Sequence, residues 1–168
     1  MSVREDAVVR ADGSPGIYAV VDKPTYALVI ALREEQLHLV EQYRYPVRAR
    51  RWEFPQVTAP DRADFDPQRL AARELREETG LLADTFTPLG VLDVAAGMSS
   101  QRGHVFLATG LHAGPPQREP EEQDMTSAWW TRSEVEDAIA AGTISDSQSI
   151  AAYTLLLMYE RGSGVEHR

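Results

Sequence analysis

Residues 66–80 read DPQRLAARELREETG, and the rest of the chain is organised around them. Asp66 is a residue type that caps helix N-termini, Pro67 suits the first helical position, and Gly80 is a stop, so the spacing predicts a helix over 67–79. At about 100° per residue, Arg73, Glu74, Glu77 and Glu78 share an arc of roughly 140°, with Gln68, Ala72, Leu75 and Thr79 opposite. The expectation is one packed face and one acidic face.

Such an acidic face needs an explanation. Like charges at i, i+4 cost about 0.2–0.5 kcal/mol per pair, and Glu74 with Glu78 is such a pair, in the half of the helix where the dipole also disfavours anions. Two readings offset the cost. Arg73 and Arg76 balance the charge on a solvated surface, or carboxylates one turn apart hold a hard divalent cation, Mg²⁺ or Mn²⁺, whose remaining positions take water and phosphate oxygen.

Working outward, GIYAVV (16–21), TYALVIAL (25–32) and QLHLVEQYR (36–44) read as strands, the last two forming a hairpin across a polar turn. YPVRARRWEFPQVTAPDRADFD (45–66) reads as a proline-punctuated loop. PLGVLDVA (88–95) and GHVFLATGL (103–111) read as strands joined by AGMSSQR, and MTSAWWTR (125–132) as another. Ser133 with Glu136 has capping-box spacing for a helix closed by Gly142. A last helix runs from Asp146 or Ser147 to about Arg161, before Gly162. Strands before and between helices make an α/β (α+β) chain, a mixed β-sheet packed between helices.

The length, 168 residues, suits a single domain over 1–168, and 43% hydrophobic residues argue against disorder. Absence of cysteine excludes disulfides, thiolate catalysis and cysteine–zinc sites. His38, His104, His112 and His167 form no i, i+4 pair, so any metal must be held mainly by oxygen. The net charge of −9 disfavours a nucleic-acid partner. No run approaches the roughly 18 apolar residues of a membrane span, so a cytoplasmic protein with no membrane partner is expected.

Tyr43, Tyr45 and Trp52 flank Arg44, Arg48, Arg50 and Arg51. Aromatic rings stack on bases and guanidinium groups clamp phosphates, so the cluster reads as a substrate cradle, with core packing or a subunit interface as the plainer role for any one member. Trp129 and Trp130, adjacent on a strand, face opposite ways, and one at least belongs to the core.

RELREETGL (73–81) matches the second half of the Nudix box, R-E-U-x-E-E-x-G-U with U a bulky aliphatic residue. LVEQYRYPVRARRWEFP (39–55) resembles the strand and loop before the box in the ADP-ribose pyrophosphatase branch of that family, and ISDSQSIAAYTLLL (144–157) resembles its last helix. The resemblance implies a Nudix-type α/β/α sandwich and Mg²⁺- or Mn²⁺-dependent hydrolysis of a nucleoside diphosphate sugar, foremost ADP-ribose to AMP and ribose 5-phosphate. It implies Glu74 and Glu78 as principal metal ligands, Glu77 as a third or water-mediated one, and Arg73 as the residue orienting them. Arg44 and Glu53 match positions near the substrate, joined in the cradle by Tyr45, Arg51 and Trp52. Glu121 or Glu122, in REPEEQDM (118–125), stands where the branch carries its base. The branch implies a homodimer in which N-terminal strands, here within residues 1–24, contribute to the partner's site.

The first half of the box departs from the pattern. G-x5-E-x7-R, counted back from Arg73, meets Phe65 and Ala59, while alignment on EFPQV puts Val57 at the glycine. Asp64 or Asp66 stands near enough to replace the missing glutamate, and the main chain at Gln56 is the segment whose shape the missing glycine affects. A further family glutamate, after VLDVAAG, is replaced by Ser100 and Gln101. These departures support a competing expectation: a catalytically impaired module that binds a nucleotide or a partner.

Overall fold

The computed structural model describes residues 1–60, 66–115 and 124–163. In chain order these form β1 (Ser2–Val9), β2 (Pro15–Asp22), β3 (Tyr26–Arg33), β4 (Gln36–Arg44), β5 (Ala49–Glu53), β6 (Gln56–Thr58), α1 (Pro67–Thr79), β7 (Leu81–Asp93), β8 (Arg102–Ala113), β9 (Thr126–Thr131), α2 (Arg132–Ala140) and α3 (Ser147–Ser163). β1 and β2 make an antiparallel ribbon, and the rest form a mixed sheet of order β5-β4-β3-β8-β7, with β6 paired to β3 and β9 to β4. The β3–β8 ladder is parallel; its neighbours are antiparallel.

The central strand explains the layering. In β3, side chains alternate between faces: Tyr26, Leu28 and Ile30 join Val135 and Ala138 of α2 and Ala152, Tyr153 and Leu156 of α3. Ala27, Val29 and Ala31 join Leu70, Ala71 and Leu75 of α1 on the other face. A strand covered on both sides reads as an unbroken apolar run, as YALVIAL does. Helices on both faces of a mixed sheet give the α/β/α architecture expected.

Helix α1 begins and ends as its caps dictate. The Asp66 carboxylate accepts from the Gln68 amide at 2.9 Å and the Arg69 amide at 3.5 Å. Gly80, at φ 75°, donates its amide to the Arg76 carbonyl from the left-handed region that glycine enters without penalty.

Elsewhere the structure differs from the sequence reading. The capping box of α2 uses Thr131 and Glu134, not Ser133 and Glu136, because β9 runs into the helix and Thr131 is its last extended residue. Glu136 instead accepts from the Tyr153 hydroxyl at 2.8 Å, tying α2 to α3. The segment 45–66 contains two strands, β5 and β6, since Pro46 falls in the turn before them and Pro55 between them, where no ladder amide is lost. β7 starts directly after α1, at Leu81, with its register broken between Pro88 and Gly90; that break makes its second half look like a separate strand.

The ribbon leaves an apolar face uncovered: Val3, Val9 and Ile17 are 71%, 77% and 69% exposed. It is fastened to the body by the Val21 amide on the Met98 carbonyl, 2.7 Å, and the Tyr18 hydroxyl on the Gly97 carbonyl, 2.8 Å. Among the described residues no helix is long and apolar enough to cross a membrane.

Candidate active site

A cleft of about 700 Å³ opens where α1, the β4–β5 hairpin, β6 and the start of α3 meet, and its walls include Arg44, Glu53, Gln56, Glu74, Glu78 and Asp146. Glu74 and Glu78 are 4% and 1% exposed, on the helix face that also buries Leu70, Ala71 and Leu75. This corrects the picture of a separate acidic face. The packed stripe of α1 itself carries the two glutamates, while Arg73 and Glu77 ride on its flank, paired at 3.4 Å and partly open to solvent. The solvated-surface reading therefore suits Glu77 with Arg73 and fails for Glu74 and Glu78.

Ionised groups are not buried without charge or hydrogen-bond compensation. Among the described residues no three acidic or histidine side chains gather into a ligand set. Glu77 does not line the cleft, so the helix offers it two carboxylates, not three. Two hard oxygen donors in the wall of an open cleft fit Mg²⁺ or Mn²⁺, which keep several coordination positions for water and phosphate.

Facing the helix is a polar network built on Glu53, itself 1% exposed. Glu53 Oε1 accepts from Gln42 Nε2 at 2.7 Å and from Arg44 Nη2, and its Oε2 accepts from Arg44 Nε at 3.2 Å. Gln56 Nε2 reaches Glu53 Oε2 at 3.5 Å and Asp146 Oδ2 at 3.0 Å. Asp146 Oδ2 also accepts from the Ser149 amide and hydroxyl, both at 2.8 Å, capping α3, and Ser149 Oγ accepts from the Phe54 amide at 3.0 Å. The end of β5 and the start of α3 are thus one hydrogen-bonded unit.

Burial pushes the Glu53 carboxyl above the usual carboxylate range, and the charge of Asp146 adds to it, while Arg44 and Gln42 pull back. The sign of the linkage follows. With its folded-state value raised, Glu53 favours folding below its unfolded value and loses that contribution as pH rises through the folded value. Glu53→Gln is therefore expected to gain in melting temperature relative to wild type between about pH 4 and pH 7, measured by thermal unfolding at several pH values. A difference that stays flat with pH contradicts this account of Glu53.

The remaining expected site residues divide. Arg44 and Arg51 line the cleft beside Glu53. Tyr45 stands at the hairpin tip, 77% exposed and outside the lining. Trp52 packs on Trp130, ring centroids 4.9 Å apart, and Trp129 lies on the opposite face with the Arg33 guanidinium 4.0 Å over its ring. Arg50 pairs with Glu41 at 2.9 Å and Asp124 at 2.7 Å. Glu121, Glu122, Asp64 and Phe65 lie outside the described residues.

The altered half-box has a local explanation. Neither Val57 nor Ala59 takes a positive φ. Val57 pairs with Ala27 in β6, and the Ala59 amide donates to the Thr25 carbonyl at 2.9 Å. Glycine's freedom is not used at either position. Gln101, where a glutamate was expected from the family pattern, is buried and donates Nε2 to the Pro24 carbonyl at 2.9 Å and Thr58 Oγ1 at 3.3 Å. Sequence reasoning missed Gln42, Tyr26 and the role of Asp146; for Asp146 the one signal was its place at a helix start.

A sequence profile of the NUDIX domain matches residues 22–153. The chain belongs to the Nudix family. An ADP-ribose pyrophosphatase of Mycobacterium tuberculosis is 37% identical over 152 residues, covering 89% of this chain and 73% of that protein. One of Bacillus subtilis is 30% identical over 106 residues, covering 62% of this chain and 56% of that protein. In architecture, the crystal structure of an ADP compounds hydrolase superposes with a TM-score of 0.84 over 96% of this chain and 87% of that one, at 18% identity, a likeness of fold. This Nudix hydrolase thus places two box glutamates, Glu74 and Glu78, in its cleft and one, Glu77, beside it.

Proposed function

We propose that this Nudix hydrolase cleaves the pyrophosphate of a nucleoside diphosphate sugar, with ADP-ribose to AMP and ribose 5-phosphate as the reaction to test first. The observation that carries the reading is the burial of Glu74 and Glu78 in a cleft that also presents Arg44 and Arg51. The ADP-ribose pyrophosphatase relatives support the choice of substrate.

In this reading Glu74 and Glu78 hold Mg²⁺ or Mn²⁺, which when bound neutralises phosphate charge and acidifies water. Arg51 and Arg44 meet the phosphate oxygens, Arg44 held in place by Glu53 and Gln42 held beside it. Tyr45, exposed next to Arg44, offers a ring for stacking the base; Trp52 fixes the strand beneath by packing on Trp130. Arg73 steadies Glu77 on the flank of α1. Glu121 or Glu122 takes the proton of the attacking water.

The test is a panel of ADP-ribose, other nucleoside diphosphate sugars and a dinucleotide, incubated with Mg²⁺ or Mn²⁺ and resolved by chromatography. Metal-dependent release of AMP from ADP-ribose is expected. Binding of the panel without release of any nucleoside monophosphate favours the impaired module instead.

The assembly we propose is a homodimer closed by the ribbon, whose Val3, Val9 and Ile17 face lacks cover among the described residues. Light scattering is expected to give twice the 18.7 kDa chain mass, and the chain mass for Val3→Glu with Ile17→Glu. A wild-type monomer at micromolar concentration contradicts it.

A further inference from the structure

Lys23 is the only lysine of the sequence and stands in the joint between the ribbon and β3. It is half-buried and lines the cleft, as do Arg44 of β4 and Arg51 of β5. The chain is pinned on both sides of it. The Val21 amide donates to the Met98 carbonyl at 2.7 Å, Ser100 Oγ to Asp22 Oδ1 at 2.8 Å, Gln101 Nε2 to the Pro24 carbonyl at 2.9 Å, and the Ala59 amide to the Thr25 carbonyl at 2.9 Å. At Gln101 an ionised glutamate, which only accepts, would repel that carbonyl. The backbone at Lys23 is therefore fixed beside the cleft.

The neighbouring cations have partners. Arg44 is held by Glu53, Arg50 by Glu41 and Asp124, and Arg51 Nη1 donates to the Arg50 carbonyl at 2.9 Å. Lys23, among the described residues, makes no hydrogen bond or ion pair, although Glu53, Glu74, Glu78 and Asp146 line the same cleft. A lysine that lays its stem on the protein and sends its head to water explains the half-burial alone. It does not explain a pinned backbone at the one place where an anion would enter a chain of net charge −9. An ammonium is a compact charge on a flexible stem, suited to closing on phosphate oxygens.

We propose that the Lys23 ammonium binds the diphosphate of the substrate, the third cation of a clamp with Arg44 and Arg51. The inference rests on the nucleoside diphosphate sugar reading above for the identity of the ligand. Because the sequence holds no other lysine, its side chain can be followed singly.

The experiment labels the wild-type protein with an amine acylating reagent and reads the rate at Lys23 by peptide mass spectrometry, which separates it from the N-terminal amine. ADP is expected to slow the labelling, and adenosine at the same concentration to leave it unchanged. In parallel, Lys23→Gln and Lys23→Arg are compared with wild type on ADP-ribose with Mg²⁺. For Lys23→Gln, KM is expected to rise about tenfold with the smaller change in kcat. Lys23→Arg, which keeps the charge, is expected to recover most of that loss.

Equal labelling with and without ADP overturns the proposal, as does protection by adenosine equal to that by ADP. So does a KM for Lys23→Gln equal to wild type, or a rise as large in Lys23→Arg, which assigns the side chain to packing. Labelling needs no turnover, so the two failures separate. A wild type that ADP protects but that hydrolyses no nucleoside diphosphate sugar loses the functional reading and keeps Lys23 as a phosphate ligand. An active enzyme whose Lys23 labels equally fast with ADP loses this inference alone.

Discussion

Glu78→Gln is expected to lower turnover of the preferred nucleoside diphosphate sugar at least about 100-fold and to leave the fold intact. The substitution preserves shape and volume and removes one charge. Glu78 sits 1% exposed in the cleft wall, one helical turn from Glu74, where a carboxylate acts on whatever the cleft binds. Glu77→Gln is the comparison, because Glu77 is on the flank, outside the cleft lining and paired with Arg73; its loss is expected to stay within about tenfold. Initial rates with Mg²⁺, together with thermal unfolding of each variant, check both statements. Rates for Glu78→Gln equal to wild type remove this residue from the reaction.

The second large effect concerns stability. Gly103→Ala places a methyl group where the Tyr26 ring already lies, and the ring is 4% exposed and packed in the core with residues of α3. Overpacking of this kind costs about 1–3 kcal/mol or more. At roughly 2–4 °C per kcal/mol for a chain of this size, the melting temperature falls by several degrees. The cause is testable by coupling: Tyr26→Ala removes the obstacle, so adding Gly103→Ala to it is expected to cost far less than in wild type. An unchanged melting temperature for Gly103→Ala contradicts the packing described.

Much of the fold was legible because its signals are local. Helix α1 is bounded by Asp66, Pro67 and Gly80, whose chemistry needs no tertiary partner. The hairpin of β3 and β4 and the opposite facing of Trp129 and Trp130 follow from strand periodicity. β5 and β6 were not legible, since five and three residues around prolines carry no periodicity, and only their partners β4 and β3 define them.

The acidic helix shows where a local signal was present but misweighted. Centred on Leu70, Ala71 and Leu75, the wheel spans an arc of about 140°, and Glu74 and Glu78 fall inside it at about 40° and 80° from Leu70. Arg73 and Glu77 fall outside. A wheel centred on the charged residues hides this. It groups all four together, takes Leu70 into the charged arc and leaves Leu75 opposite with Gln68, Ala72 and Thr79.

The candidate site was legible in its charged half and obscure in its neutral half. Glu74, Glu78, Arg44 and Glu53 stand out by charge or by the box. Gln42, Gln56 and Asp146 acquire meaning only once β5 meets the start of α3, across about ninety residues of chain, as in the 3.0 Å bond from Gln56 to Asp146 with a sequence separation of 90. No composition or spacing rule reaches across that distance.

We propose that Glu74 and Glu78, buried together in the cleft wall, hold a divalent cation. Titration with Mn²⁺, following free ion by electron paramagnetic resonance in the presence of AMP, measures it directly for wild type, Glu74→Gln and Glu78→Gln. Saturable binding in wild type, weakened at least about tenfold by either substitution, is the expected result. Indistinguishable titrations for all three proteins contradict it.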